Sequence, residues 1–235
     1  KQLGRNDFAA KGATGRSGGL ALWWRKSSIS VTEIIRDRFL ISCRCQSPQG
    51  DMEWFISCIY GPCVAAERVG LWEELYAMHQ RVQETPWLLG GDFNCYLSGD
   101  DNPDGRMDSS STGFQLAVQN MGLTEFPISG VEYTWRNGSG QISKLDRFFG
   151  SPSLLESFQL SAVLSLDRPF SDHTPLVWDS GVNADTGSYF KLKRSWFREE
   201  GFVQMVSQWW QSKDVQGTAT QQLAAKLVGL REMLK

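Results

Sequence analysis

Apolar residues alternate with polar ones over much of Gly18 to Tyr60, and from residue 64 they recur at every third or fourth position instead. Period two is the side-chain spacing on one face of a strand, and 3.6 is that of a helix. The first stretch holds four strand-like runs: Gly18–Arg25, Ser28–Arg36, Phe39–Gln46 and Met52–Tyr60. Pro48-Gln49-Gly50-Asp51 supplies a tight turn between the last two. Ile29 and Val31, then Phe39, Ile41, Cys43 and Cys45, alternate as half-buried antiparallel strands do. Gly61-Pro62 ends the block. Leu71, Trp72, Leu75, Met78, His79 and Val82 then form the stripe of an amphipathic helix within residues 64–84, which Pro86 stops.

The period keeps switching downstream. Trp87-Leu88-Leu89 reads as a short strand running into Gly90-Gly91-Asp92-Phe93-Asn94. Residues 98–111 are rich in Asp, Ser, Gly and Pro and read as a loop. A helix is predicted from Thr112 to Met121, and strands at Glu132–Arg136 and Ser143–Phe149 around an Asn137-Gly138 hairpin turn. Pro152 to Phe158 reads as one or two helical turns, and Gln159–Leu166 and Pro175–Trp178 as strands. Residues 180–188 have linker composition. Beyond them, Phe197, Phe202, Val203, Val206, Trp209 and Trp210 suggest one helix, and Leu223, Leu227, Leu230 and Leu234 a second. The expected organisation is a polar segment 1–17, an α+β domain 18–180, a linker 181–189 and a helical tail 190–235.

Composition narrows the chemistry. The five cysteines make no C-x-x-C and there are two histidines, which argues against zinc and for reduced, mostly buried thiols. No run approaches the ~18 apolar residues of a membrane span, and Lys1 to Arg16 lacks the apolar core of a secretory signal. Residues 1–50 hold nine Lys/Arg against three Asp/Glu, whereas residues 51–110 hold three against eleven. A cationic coat for nucleic acid is therefore absent, while a basic entry face beside an acidic centre remains. Such a centre suits a divalent cation, which takes carboxylate oxygens.

Four polar clusters lie at or beside predicted strand ends: Tyr60-Gly61-Pro62, Gly91-Asp92-Phe93-Asn94, Lys144-Leu145-Asp146-Arg147 and Ser171-Asp172-His173. Each alone reads as an ordinary strand exit or a capped turn. As a set they match phosphodiester hydrolysis, which needs a base for water, donors for the phosphate oxygens and a carboxylate-held metal. Asp92 can be the base, Asn94 a donor, Tyr60 a hydroxyl and Asp172 a hard oxygen. His173 can donate to a phosphate oxygen if a carboxylate such as Asp146 holds its other nitrogen.

The order and identity of Tyr60-Gly61-Pro62, Gly90 to Asn94, Thr134-Trp135, Lys144 to Phe149 and Ser171 to Leu176 resemble the endonuclease/exonuclease/phosphatase superfamily, and within it the endonuclease domain of plant LINE-type retrotransposons. Gly15 to Trp24 is similar to that branch's early strand, and Phe190 to Phe202 to its connector toward a reverse transcriptase. The resemblance implies a four-layered α/β sandwich, two sheets flanked by helices, and cleavage of DNA with Mg²⁺ or Mn²⁺. It implies no membrane association and no small-molecule cofactor. It places the reaction inside the cell, in the nucleus if active, with the reverse transcriptase region of the same polyprotein as partner. Carried over position by position, Asp92 matches the water-activating carboxylate, Asn94 the phosphate-orienting amide and Tyr60 the transition-state hydroxyl. Asp146 matches the aspartate that orients the catalytic histidine, His173 that histidine, and Asp172 the neighbouring carboxylate near the metal. Trp135 and Asn137 fall in the hairpin that approaches the DNA groove.

One departure bears on activity. The family pattern opens with a strand carrying an Asn and a second ending in the Glu that is the main metal ligand, whereas residues 1–17 hold Asn6 and no Glu. The expectation is weakened or absent cleavage, with Asp104 or Asp108 as the first substitutes to consider. A catalytically silent remnant with a binding role, and a phosphoesterase of the same fold, stand as the alternatives. Asp100 to Gly105 resembles the start of a calcium loop, but Ser111 stands where its bidentate Glu belongs. His79 reads as a packing or surface residue, and Trp23-Trp24 and Trp209-Trp210 as core and tail packing rather than base-stacking platforms. Lys191, Lys193, Arg194 and Arg198 read as a solvated face or, less simply, a nucleic-acid contact.

Overall fold

The structure, a computed structural model, describes residues 6–13, 19–168, 170–181, 201–213 and 215, with isolated positions beyond. The chain forms two compact units, Lys1–Val182 and Asn183–Lys235. The first unit begins with strands β1 (Asn6–Lys11), β2 (Leu20–Arg25), β3 (Ser30–Arg36), β4 (Leu40–Gln46) and β5 (Glu53–Tyr60). Helix α1 (Arg68–Val82), β6 (Trp87–Asp92), α2 (Ser111–Asn120), β7 (Thr124–Glu125), β8 (Ile128–Ser129), β9 (Trp135–Arg136) and β10 (Ile142–Ser143) follow. It closes with β11 (Asp146–Gly150), α3 (Pro152–Ser157), β12 (Ala162–Ser165) and β13 (Leu176–Asp179).

The centre is a six-stranded mixed sheet in the order β3-β4-β5-β6-β11-β7. Strands β3 to β5 form the antiparallel meander that alternation and turns predicted. Between β5 and β6 the pairing becomes parallel, so the chain must cross over, and α1 is that crossover. Residues Phe55, Ser57 and Ile59 of β5 face the helices and are buried. They pack with Leu71, Trp72 and Leu75 of α1, Phe114 of α2, and Phe93 and Phe149. Each of these large side chains contributes about 1.5–3 kcal/mol by leaving water.

The opposite face is covered in two separate patches. β1 and β2 pair with each other and lay Leu20, Leu22 and Trp24 on Ile41, Cys43 and Cys45 of β4. The three-stranded sheet β13-β12-β8, with α3, buries Leu88, Phe126, Leu154, Phe158 and Val163. Mixed sheets flanked by helices therefore form the expected α+β fold.

Register positions the site. Tyr60 pairs with Asp92 across β5 and β6, and Asp146 pairs with Asp92 across β6 and β11. Three chemical side chains thus stand side by side at one end of adjacent strands. A slip of one residue would turn each to the other face.

Several boundaries differ from the sequence reading. Asn6–Lys11, inside the segment read as polar, pairs along its whole length with β2. The run Ser143–Phe149 is two strands, because Leu145 leaves the β9 pairing and its carbonyl accepts from Phe93 N at 3.0 Å. The Asn137-Gly138 step is not a two-residue turn. Asn137 N and Gln141 O close a longer loop at 3.0 Å, and Gly140 takes the positive φ of 89°. Trp24 enters the core, whereas Trp23 is 68% exposed beside the paired Phe8. In the second unit, α4 (Phe202–Ser212) is helical as predicted, with the Lys226 amine 5.5 Å from the Trp210 ring. Lys191, Lys193, Arg194, Arg198 and Phe197, and all of the 181–189 linker except Gly181, lie outside the described residues.

Candidate active site

Gly91-Asp92 ends β6, and the chain must turn sharply to leave the sheet. The Asp92 carboxylate makes that turn: Oδ1 accepts from Asn94 N at 2.8 Å, and Asn94 sits at φ 49°, which asparagine tolerates. The Asn94 carboxamide then donates to Asp92 Oδ2 at 3.0 Å and to Gly61 O at 2.8 Å. Gly61 has to be glycine here, since a Cβ would lie 2.2 Å from Phe93 O. The Tyr60-Gly61-Pro62 and Gly91-to-Asn94 clusters are therefore one structure.

Asp146 and His173 are 27 positions apart in sequence, and the fold brings His173 Nδ1 to 2.8 Å from Asp146 Oδ2. The other ring nitrogen, Nε2, faces Asp92 Oδ2 at 3.9 Å. That separation is too long for a direct hydrogen bond, and an oxygen set to one side of the pair reaches both at about 2.8 Å. The Asp146 hydrogen bond raises the imidazole pKa above its ordinary 6.5, with the charges of Asp146 and Asp92 adding to it. Burial, then the neighbouring Asp146 charge, pushes Asp92 up to about 6. The pair offers a carboxylate able to hold a proton near neutral pH and an imidazole biased toward its cationic form.

Asp172 is held by a different partner. Its carboxylate accepts from Trp135 Nε1 at 3.1 Å, and this bond holds its pKa below the usual carboxylate value. Trp135 also bridges His173 through the backbone. Asn137 shapes the hairpin: its carboxamide oxygen accepts from Ser139 N and Gln141 N, and its amide donates to Gln141 Oε1. Tyr60, Asp92, Asn94, Asp172, His173 and Trp135 all line one cleft of about 400 Å³. Asn137 does not line it.

Two participants carry no role in the sequence reading, although Thr134 belongs to the Thr134-Trp135 motif. Thr134 is fully buried, and its Oγ1 accepts from both Leu145 N and Asp146 N at 3.0 Å. Its carbonyl accepts from Thr174 N at 2.7 Å, so one residue fixes the backbones of Asp146 and His173 together. Thr134→Val should cost about 2–3 kcal/mol by leaving two buried N–H groups unpaired, while Thr134→Ser should stay within about 1.5 kcal/mol of the parent. Urea denaturation distinguishes them, and equal losses for both variants would assign the effect to packing. The second is Arg68 on α1, buried at the cleft wall, which pairs with Asp108 and donates to Pro62 O at 3.0 Å and Cys63 O at 3.1 Å. It ties the loop before α2 to the loop after Tyr60.

The Asp92 environment makes a stability prediction. Its folded pKa lies above the unfolded value, so the folded state binds the extra proton between about pH 4 and pH 6. This contribution favours folding at low pH and is lost as pH rises through 6. Asp92→Asn should therefore gain roughly 1–2 kcal/mol above pH 6 and converge with the parent below about pH 4. Denaturation midpoints across pH 3.5–7.5 (a range of about four units) check this, and a pH-independent difference would contradict it.

Residues 2–173 match the Endonuclease/Exonuclease/phosphatase family. No curated protein matches the sequence. Among solved structures the chain is similar to the endonuclease domain of TRAS1, a telomere-specific non-LTR retrotransposon, with TM-score 0.58 and 15% identity over 74% of this chain and 79% of that one. It is similar to a family protein from Bacteroides thetaiotaomicron, with TM-score 0.54 and 15% identity over 73% of each chain. A third, from Bacteroides vulgatus, has TM-score 0.54 and 15% identity over 74% of this chain and 75% of that one. At such identities the structures share a fold, and the family match over 172 residues, 2 through 173, stands beside it. On that match and that fold, the chain belongs to the endonuclease/exonuclease/phosphatase family.

Proposed function

We propose that the chain is a phosphodiesterase of the retrotransposon-endonuclease type, acting on DNA. The observation that carries the reading is the triad-like row Asp146–His173–Asp92, with 3.9 Å between His173 Nε2 and Asp92 Oδ2. A phosphate oxygen or attacking water placed there would meet a donor on one side and a proton acceptor on the other. Asp146 keeps the imidazole oriented and favours its protonated form. Asn94 holds Asp92 in place, and Tyr60 borders the same cleft. The likeness to the TRAS1 domain, over most of both chains, favours DNA as the substrate class. A reverse transcriptase partner and nuclear action belong to the same reading. Among the described residues, no helix is long and apolar enough to cross a membrane.

Enzymes of this family generally use divalent metals, and Mg²⁺ or Mn²⁺ is the group this reading calls for. The donors present do not make a cage for it. Among the described residues, no three His, Cys, Asp or Glu side chains stand together as a metal site. Asp146 is engaged by His173, Asp92 by Asn94 and Asp172 by Trp135.

Incubation with supercoiled plasmid in Mg²⁺ or Mn²⁺ tests the reading. Slow nicking, lost in both Asp92→Ala and His173→Ala, is expected. Nicking unchanged in either variant would overturn the assignment. No nicking in the parent over a full day would select the silent alternative, and hydrolysis of a phosphate monoester without nicking would select the phosphoesterase.

A further inference from the structure

The chain leaves the central sheet twice at the cleft, after Tyr60 at the end of β5 and after Asp92 at the end of β6. The two exits are pinned directly to each other. Gly61 N donates to Asp92 O at 2.7 Å, and the Asn94 carboxamide donates to Gly61 O at 2.8 Å. A second connection runs through Arg68 of α1. Its Nε donates to Pro62 O at 3.0 Å and its Nη2 to Cys63 O at 3.1 Å, so one edge of the guanidinium fork holds two successive carbonyls of the first exit. Its Nη1 donates to Ser110 Oγ at 2.6 Å and pairs with Asp108. Ser110 donates its own proton to Asp108 Oδ1 at 2.7 Å, which leaves its oxygen to accept from Arg68 and from the Cys95 thiol, 3.2 Å away. Cys95 follows Asn94 in the second exit. The bonds close a ring: Asn94 to Gly61, then Pro62 and Cys63 to Arg68, Arg68 to Ser110, and Ser110 to Cys95.

Stability alone gives no reason for a charge at this place. The Arg68 side chain is 7% exposed, and a buried ion pair holds a core no better than apolar side chains of similar volume. Helix α1 already docks through Leu71, Trp72, Leu75, Met78 and Val82. What an apolar residue at position 68 could not do is aim four hydrogen bonds at two separate segments. Arg68, Cys63 and Asp108 also line the catalytic cleft together with Tyr60, Asp92 and Asn94. The guanidinium charge is felt there: burial and then Asp146 raise the pKa of Asp92, and Arg68 acts on it in the lowering direction.

We propose that Arg68 is a positioning residue of the cleft, closing the ring that holds Tyr60 and the Asp92-to-Asn94 turn in one frame. It acts through those residues rather than on the substrate. Because α1 is fixed on the core, the ring refers both exits to the helix and not only to each other. The role given to Tyr60, Asp92 and Asn94 rests on the phosphodiesterase reading, whereas the ring stands on geometry alone.

Two changes at position 68 test this in the full chain. Arg68→Met combined with Asp108→Asn removes both charges together, and Arg68→Lys keeps the charge without the fork. Amide hydrogen exchange is read at Gly61 and Asn94 and compared with β4, which is paired on both sides and reports global opening. In both variants the Gly61 and Asn94 amides should exchange about tenfold faster or more, while β4 stays within about twofold of the parent. Ser110→Ala opens the ring at another point and leaves Arg68 its two carbonyls. It should give the same local pattern at about threefold or more, and it decides where an Arg68 variant does not fold. Where the parent nicks plasmid, Arg68→Lys should lower kcat by about tenfold or more with KM within about twofold, because the ring sets geometry rather than DNA contact. Unchanged exchange at Gly61 and Asn94, acceleration no greater than that of β4, or parental kcat in Arg68→Lys overturns the proposal. With an inactive parent the exchange comparison decides alone, so failure of the ring and failure of the nuclease reading are separable.

Discussion

Arg147→Ala should lower the unfolding free energy by about 3–5 kcal/mol, seen as a fall in the urea midpoint at unchanged slope. Arg147 stands on β11 next to Asp146, and its side chain is fully buried. Its guanidinium pairs with Asp101 and with Glu125 Oε1, the latter at 2.6 Å, and donates to Lys144 O at 3.2 Å. Removing it strands the Asp101 carboxylate, itself 4% exposed, without its counter-charge. The cost is that of an unpaired buried charge rather than the value of the bond. Arg147→Met with Asp101→Asn should therefore recover part of the loss, since both charges go and the amide oxygen can still accept from Leu97 N and Ser98 N. A loss under about 1 kcal/mol for Arg147→Ala would show that water reaches the pair.

The same cluster shows where sequence reading falls short. Asp100 to Gly105 resembles the start of a calcium loop and lies within the predicted loop 98–111. In the fold, Asp101 caps its own short 3₁₀ turn and turns inward to Arg147. Nothing local signals this, because Arg147 lies 46 positions away. Arg68 was equally silent, an ordinary helix charge until its partners are placed, while Thr134 stands in a motif but has no role until Leu145 and Asp146 are placed. His79, by contrast, is legible as a packing or surface residue: its half-buried ring stacks 6.4 Å from that of Trp87.

What was legible followed from local period and turn chemistry. Strands β2 to β6, α1, α2, α3 and α4 announce themselves through alternation, stripes, Pro86 and the Gly50 turn. The two-residue strands β7 and β8 do not, because they exist only through partners in β11 and β12. β1 was hidden by its own composition: Asn6, Asp7 and Lys11 mask the alternation that Phe8 and Ala9 complete against β2. The candidate site was legible in its residue types, and the fold supplies what types cannot, namely which carboxylate meets which nitrogen. Asp146 reaches His173, while Asp172, next to His173 in sequence, turns to Trp135.

Gly91→Ala should cost at least about 3 kcal/mol, although the substitution adds a single methyl group. Gly91 is the β6 residue just before Asp92, with φ at 148°, a region that side chains rarely adopt. A Cβ there would lie 2.0 Å from Ile59 O and 2.9 Å from Ile59 N, all backbone of the neighbouring strand β5. A flexible side chain could give way, but a paired strand cannot move without breaking its ladder. The register that opposes Ile59 to Gly91 also opposes Tyr60 to Asp92, so relief of the clash displaces two cleft residues together. Gly90→Ala makes the comparison informative. Its Cβ would meet the Phe148 ring at 2.3 Å, a side chain that lines a cavity of about 440 Å³ and not paired backbone. Gly90→Ala should thus lose less stability than Gly91→Ala and leave the Asp92 turn in place. Denaturation midpoints of the two variants, measured side by side, check the order. Equal losses would mean that the strands yield as readily as the ring, and that close approach of β5 and β6 is not what holds Asp92 in position.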